Sequence, residues 1–200
     1  MIYFLLIHYF LDIAFAASAD EWRNRTIYQV LTDRFASSSQ QDCDDLSHYC
    51  GGTWRDLEDK LDYISTLGFD AIWISPVVEN TQGGYHGYWA KNLSALNPNF
   101  GSEADLKSLV SAAHRKGIWV MVDVVANHMG GTIAAINDFY PFNQASHYHD
   151  CTPCAADCNI VDFTTLFSHD CEHCRLSNLP DLDQDNPWVA QQLLTWVGLQ

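Results

Sequence analysis

Residues 83–89 carry side chains that suit the binding of a neutral sugar, because His86, Tyr88 and Trp89 stand there among glycines. Aromatic rings offer flat apolar faces that match the C–H face of a pyranose, and an imidazole can donate to or accept from hydroxyl groups. The glycines let the backbone approach a ligand closely. The same aromatics could instead fill the top of a barrel, and composition alone does not separate the two roles.

A second chemical segment runs from Asp123 to His128, at the end of a valine-rich stretch. A lone aspartate in such a strand is costly unless it is paired, so we expect Asp123 to form an internal salt bridge. Asn127 offers an amide oxygen, and Asp181 and Asp183 close the irregular segment that follows. Calcium prefers amide and carboxylate oxygens and could tie the two ends of that segment together. Alternatively, Asp181 is a turn residue or a solvated acid.

The seven cysteines indicate disulfide bonds if the chain is exported. Cys43 and Cys50 lie close together in one polar loop, so we expect them to pair. The odd total leaves one thiol without a partner in the chain. The remaining five crowd one segment: Cys151, Cys154, Cys158, Cys171 and Cys174.

Two Cys-x-x-Cys pairs in that segment also have the spacing of a four-thiolate zinc site, with sixteen residues between them. The pairs are Cys151 with Cys154 and Cys171 with Cys174. Histidines stand nearby at positions 147, 149, 169 and 173. Export favours disulfides over zinc.

Composition and the N-terminus narrow the class of protein. A formal net charge of −15 with ten Lys and Arg argues against nucleic acid, because a phosphate backbone requires basic side chains. The first residues are largely apolar and end in Ala17-Ser18-Ala19, which predicts a signal peptide at 1–19 with cleavage after Ala19. A membrane anchor or a misplaced start is the alternative. We therefore expect a secreted protein with no membrane contact once the signal is removed.

Apolar periodicity predicts strands that alternate with helices. Three strands are predicted, each apolar throughout, as in a sheet covered on both faces: 27–31, 71–74 and 118–125. Three helices are predicted from capping signals, beginning at Thr53, Ser102 and Asn186. The first helix places four residues on one apolar face: Leu57, Leu61, Ile64 and Leu67. The segments 75–101 and 129–182 are predicted to be loops.

This alternation predicts parallel βαβ units, and therefore an α/β fold. A (β/α)8 barrel needs eight such units, of which this chain supplies the first three. An open doubly wound sheet is the competitor, but such a sheet usually carries a glycine-rich phosphate turn after its first strand. Residues 32–35 stand at that position and contain no glycine. We therefore expect an incomplete TIM barrel with an irregular, disulfide-rich insert after strand 3.

The chain resembles the secreted α-amylases of glycoside hydrolase family thirteen, and in particular their fungal members. The resemblance rests on seven motifs: Ile27-Tyr28 with 31–36, 49–54, 60–64, Gly68-Phe69 with 71–74, 85–89, 121–130 and 179–183. The combination of Tyr-His-Gly-Tyr-Trp with Val-Ala-Asn-His is specific to that family.

The resemblance implies a layout and a set of binding residues. Residues 20–129 would form the start of the barrel, 130–179 a subdomain inserted after strand 3, and 180–200 the return to the barrel with helix 3. Tyr88 would stack on the sugar beside the scissile bond, His86 and His128 would hydrogen-bond that sugar, and Trp89 would support the wall. A structural calcium would be held by Asn127, Asp181 and Glu172, although the extra cysteines around Glu172 depart from the family pattern.

The implied activity is endo-cleavage of α-1,4-glucosidic bonds in starch or glycogen by a retaining mechanism, in a monomeric enzyme whose partner is the α-glucan. The family places its catalytic acids after strands four, five and seven, so no catalytic residue is assigned within this chain, which is then expected to be inactive alone. An α-glucosidase or transglycosylase of the same fold is the alternative. A non-catalytic relic that binds glucan is a further one.

Overall fold

The computed structural model describes residues 17–39, 43–152, 154–165 and 168–198. Parallel strands, short helices and one antiparallel hairpin make up this part of the chain. The helices are α1 Ala19–Arg23, α2 Thr32–Phe35, α3 Trp54–Glu58, α4 Leu61–Thr66, α5 Glu103–Arg115, α6 His169–His173 and α7 Pro187–Val197, with 3-10 turns at Ile133–Asp138 and Ala145–His147. The strands are β1 Ile27–Val30, β2 Ala71–Ile74, β3 Val78–Asn80, β4 Ala90–Leu96 and β5 Trp119–Val122.

The three predicted strands form one parallel sheet in the order β1, β2, β5. Ile27 pairs with Ala71 and Ala71 with Trp119, so all three strands start at the same level. The third strand is shorter than predicted, because its neighbour β2 ends at Ile74. The amide of Asp123 donates to the Ile74 carbonyl at 3.1 Å, and beyond this bond β5 has no parallel partner on that side. The carboxyl ends of the strands therefore meet at one edge.

The helices begin where their caps predict. The Ser102 hydroxyl accepts from the Asp105 amide, and the Asp105 carboxylate accepts from the Ser102 amide, which closes a capping box at the start of α5. Thr53 caps α3 in the same way, but the helix predicted from Thr53 is divided into α3 and α4. The apolar face is buried as expected at 57, 61 and 64, whereas Leu67 is 51% exposed because α4 ends there.

A hairpin of β3 and β4 occupies much of the segment predicted to be a loop. Its strands carry Glu79, Asn80, Lys91 and Asn92, so no strict apolar alternation marks them. Register shifts between the strands blur the pattern further. The connection between β3 and β4 contains residues 83–89, and the hairpin therefore holds both ends of the sugar-binding candidate.

Two apolar cores build the structure. The first lies between the parallel sheet and helices α3 to α5 and includes Trp54, Ile72 and Leu109. The second joins the hairpin, helix α7 and the irregular segment, through residues such as Phe142 and Leu193. The irregular segment 130–179 thus has apolar anchors of its own, mainly in its first half.

The cysteines pair as disulfides, as expected for Cys43 with Cys50. In the irregular segment Cys151 pairs with Cys158, and Cys154 pairs with Cys174. Cys171 is the free cysteine. These pairs separate the four cysteines of the zinc alternative, so the four-thiolate site is not formed.

The predicted signal peptide lies mostly outside the described residues. Of its nineteen positions the structure describes Ala17, Ser18 and Ala19, and the Ser18 side chain caps helix α1. Cleavage after Ala19 would remove that cap from the mature chain. Among the described residues, no helix combines the length and apolar character needed to cross a membrane.

Candidate functional site

Tyr88 is fixed at the sheet edge where the parallel strands end. Its hydroxyl donates to the Asp123 carboxylate at 3.0 Å, and the Trp73 indole N–H donates to the same oxygen at 3.1 Å. Burial and the neighbouring Asp123 charge raise the pKa of the Tyr88 phenol, so the hydroxyl stays a donor. Asp123 therefore accepts two hydrogen bonds in place of the salt bridge expected from sequence.

A cavity of about 260 Å³ opens at this edge, lined by strand ends together with Tyr88 and Asp123. Its other walls are Gln29, Val30, Leu31, Trp73, Ile74 and Ser75. In parallel α/β folds, ligands bind outside the carboxyl ends of the strands. The cavity thus lies where the fold places its chemistry.

His86 stacks beside Tyr88, with ring centroids 5.7 Å apart and planes 18° from parallel. The His86 ring also meets Trp89 edge-on at 4.8 Å. Its Nδ1 accepts from the Tyr88 amide at 3.0 Å, which leaves Nε2 to carry the proton in the neutral ring. Burial lowers the pKa of His86, and the charges of Arg34 and His128 lower it further. A neutral imidazole with one free donor results.

Tyr88 and Trp89 each remain 36% exposed, so both rings present a face to solvent. Together with His86 they form the aromatic platform that the sequence predicts. A planar apolar face beside a neutral hydrogen-bonding group is suited to a sugar ring.

His128 is 6% exposed and bonds to the platform from below. Its Nε2 lies 3.1 Å from the Tyr88 carbonyl oxygen, to which it can only donate, and its Nδ1 lies 3.3 Å from the Asn127 amide nitrogen. Burial lowers the pKa of His128 and so favours this neutral form. Both ring nitrogens have protein partners in this conformation, so direct hydrogen bonding of His128 to a sugar stays a prediction.

Gly130 locks the end of the strand-3 segment against the platform. Its amide donates to the Ala90 carbonyl at 2.6 Å, and a Cβ at this position would overlap the Trp89 backbone carbonyl. Only glycine permits this approach. The contact sets the position of Trp89 relative to His128, two residues before Gly130.

Asp181 and Asn127 meet at the base of the irregular segment, as the calcium prediction requires. The Asn127 side-chain amide donates to one Asp181 oxygen at 3.0 Å, and His149 Nδ1 lies 2.7 Å from the other. Asp181 is 4% exposed, and burial raises the pKa of its carboxyl to about 6 even though His149 and Asn127 lower it. A buried carboxylate with incomplete compensation, next to an amide oxygen, fits a hard cation.

Glu172 is exposed and shares a cavity of about 660 Å³ with Asn127, His149 and Asp185. No group of three or more His, Cys, Asp or Glu side chains close enough to hold a metal occurs among the described residues. The structure therefore brings Asn127 and Asp181 together, while Glu172 reaches only the same cavity. His149, which sequence reasoning named only for zinc, is the additional neighbour of Asp181.

Comparison with known proteins agrees with this arrangement. The family model described as "Alpha amylase, catalytic domain" matches residues 29–199. Alpha-amylase mde5 of Schizosaccharomyces pombe is 42% identical over 190 residues, covering 88% of this chain and 35% of the relative. Alpha-amylase 1 of Schwanniomyces occidentalis is 42% identical over 199 residues, covering 92% of this chain and 38% of the relative.

Solved structures show the same likeness. An α-amylase from Malbranchea cinnamomea matches with a TM-score of 0.79 and 41% identity, covering 90% of this chain and 40% of that one. The acarbose complex of a Geobacillus thermoleovorans α-amylase matches with a TM-score of 0.75 and 35% identity, covering 88% and 37%. The chain spans little more than a third of the curated relatives it matches. It belongs to the α-amylase family of glycoside hydrolases, as part of the catalytic domain.

Proposed function

We propose that the complete protein is an α-amylase that cleaves internal α-1,4-glucosidic bonds of starch or glycogen by a retaining mechanism. The observation that carries this proposal is the platform of Tyr88, His86 and Trp89, held by Asp123 at the carboxyl ends of the parallel strands. Membership of the family supports it, since the relatives are named α-amylases. Tyr88 would stack on the sugar beside the scissile bond, and the His86 Nε2 proton would bind one of its hydroxyls.

The proposed role of this chain is to bind and orient the sugar. A retaining glycosidase needs a carboxylate nucleophile and a carboxylic acid on either side of the bond. Asp123 does not fit either role, because Tyr88 and Trp73 both donate to it. We propose that the catalytic acids belong to later units of a complete (β/α)8 barrel.

We propose a structural calcium at Asn127 and Asp181, with Glu172 as a third ligand once the cavity it lines closes around the ion. The buried, incompletely compensated Asp181 carboxylate supports this site. Calcium would supply a fixed positive charge that joins the strand-3 end to the irregular segment. It would position His128, next to Asn127, and through it the Tyr88 carbonyl.

The predicted layout remains a proposal: a signal at 1–19, barrel segments at 20–129 and 180–200, and an inserted subdomain at 130–179. Disulfides in the described part of the chain support export. We propose a secreted protein that acts as a monomer on α-glucan.

Replacement of Tyr88 tests the proposal. In the full-length protein, Tyr88→Ala should lower kcat/KM on a maltooligosaccharide by on the order of tenfold to a hundredfold, because a stacking ring is lost. Tyr88→Phe keeps the ring and removes only the bond to Asp123, so it should retain most of the activity. Equal activity of Tyr88→Ala and wild type would contradict the platform role. Internal cuts in the product pattern support an amylase, whereas release of single glucose units supports an α-glucosidase.

A further inference from the structure

Arg34 joins three parts of the structure that are far apart in sequence. Its Nε lies 2.7 Å from the carboxylate of Asp33. Its Nη2 donates to the carbonyl oxygens of Leu46 and His48, both at 2.8 Å. Its guanidinium carbon lies 3.8 Å from the centroid of the Tyr85 ring. One side chain therefore holds the end of β1, the loop closed by the Cys43–Cys50 disulfide, and the first aromatic residue of the platform loop.

Asp33 fixes Arg34 and the same disulfide-closed loop, residues 43–50. Its side chain is fully buried and accepts from the Cys50 amide at 2.8 Å and from the Gly51 amide at 3.2 Å. Close packing completes this junction, because a Cβ on Gly52 would overlap the carbonyl oxygens of Thr32 and Asp33. Arg34 is only 20% exposed, so its contacts are made with little competing water.

A second link joins the disulfide-closed loop to the platform loop. The Tyr49 hydroxyl donates to the Gly84 carbonyl at 3.0 Å and accepts from the Asn97 amide at 3.1 Å. The Tyr85 ring in turn meets His86 edge-on at 5.0 Å, and His86 stacks on Tyr88. The path from Arg34 to the sugar-binding rings is thus a chain of direct contacts.

We infer that Arg34 is a positioning residue for the sugar site: clamped by Asp33 and the disulfide-closed loop, it stacks on Tyr85 and holds His86 and Tyr88 in register. Arg34 does not itself line the cavity at the strand ends. Its planar guanidinium suits this role, because it can donate in a fork and stack on a ring at the same time. This inference rests on the proposed function only for the hydrolysis measurement below.

The first experiment measures the pKa of His86 by NMR in Arg34→Gln and Arg34→Lys. The titratable or charged groups around His86 are Arg34, His128, Tyr85 and Tyr88. Arg34→Gln removes a positive charge, so the pKa of His86 should rise, whereas Arg34→Lys keeps the charge and should leave it near the wild-type value. An unchanged His86 pKa in Arg34→Gln would show that Arg34 does not act on the platform.

The second experiment measures binding of β-cyclodextrin, a cyclic α-1,4-glucan, together with kcat/KM on a maltooligosaccharide. Arg34→Gln and Tyr85→Leu should each weaken binding about tenfold, equal to about 1.4 kcal/mol, and the double variant should lose no more than one of them. Tyr85→Phe keeps the ring and should bind like wild type. Full additivity, or normal binding by a folded Arg34→Gln, would overturn the inference.

Folding is monitored separately by circular dichroism, well below the melting temperature. A role confined to stability would lower Tm and leave β-cyclodextrin affinity unchanged, which also counts against the inference. If wild type binds β-cyclodextrin but leaves glucan uncut, the proposed function fails while the positioning role stands on the binding and NMR results.

Discussion

Replacing Asp181 by asparagine separates the charge of this side chain from its hydrogen bonds. Asparagine has the same shape and can still accept from Asn127, whose amide lies 3.0 Å away. Burial raises the pKa of Asp181 from 3.8 to about 6. A shift of about two units corresponds to about 3 kcal/mol against ionisation at neutral pH. Without calcium, Asp181→Asn should therefore be as stable as wild type, or more stable by up to about 3 kcal/mol.

Calcium should reverse that order. A ligand present at about 100 times its Kd adds about 2.7 kcal/mol to stability, and each kcal/mol raises Tm by about 2–4 °C in a protein of this size. Wild type should gain about 5–11 °C in calcium over EGTA, whereas Asp181→Asn should gain little. Thermal unfolding followed by circular dichroism measures both, with Asp183→Asn as the matched control for loss of a nearby carboxylate. An equal gain in wild type and Asp181→Asn would refute the reasoning.

The sign of the pH effect follows from the raised pKa. In EGTA the protonated Asp181 favours the folded state, so its contribution is present below pH 3.8 and is lost as the pH rises through about 6. The stability difference between Asp181→Asn and wild type should therefore widen over this range. A constant difference would show that ionisation of Asp181 is not involved.

Three further outcomes are expected. Gly130→Ala should destabilise the fold and impair the platform, since its Cβ would overlap the Trp89 carbonyl, whereas Gly198→Ala meets only ordinary contacts and should be neutral by urea unfolding. Burial lowers the pKa of His147, so its stabilising contribution should be present above pH 6.5 and decline below it; a His147→Gln variant should lose less stability than wild type on acidification. Thiol titration of denatured, unreduced protein should detect one thiol, absent from Cys171→Ser, whereas four thiols with stoichiometric zinc would revive the metal alternative.

Much of the scaffold could be predicted because local signals and burial agree. The strand 71–74 is apolar throughout and lies at the centre of the sheet, and Ser102 with Asp105 forms the capping box that the sequence indicates. The pairing of Cys43 with Cys50 follows from their proximity in one loop. These features depend on neighbours in sequence or on uniform apolarity, which a single sequence displays directly.

The hairpin β3–β4 and the partners of Asp123 could not be predicted in this way. The hairpin is stabilised by packing against the second core, so its strands tolerate polar residues such as Glu79 and Lys91. Asp123 is satisfied by Trp73, fifty positions away, and Tyr88, thirty-five positions away. Such bonds depend on tertiary geometry that no local pattern encodes.

The site residues divide along the same line. Tyr88, His86 and Trp89 form a contiguous motif whose chemistry is legible in sequence, and they are in mutual contact in the structure. The tie of His128 to the Tyr88 carbonyl, and the role of Arg34 beside Tyr85, appear only when distant segments are brought together. Asp33-Arg34 offered one signal, since an acid–base pair beside a predicted strand end is an unusual place for two charges.

Hydrolysis of starch by the full-length protein tests the central claim most directly. Reducing ends should appear together with a rapid fall in iodine staining, and NMR of the earliest products should show the α-anomer, as a retaining endo-hydrolase requires. Full-length, folded protein that leaves starch intact in the presence of calcium, or that releases the β-anomer first, would contradict the account.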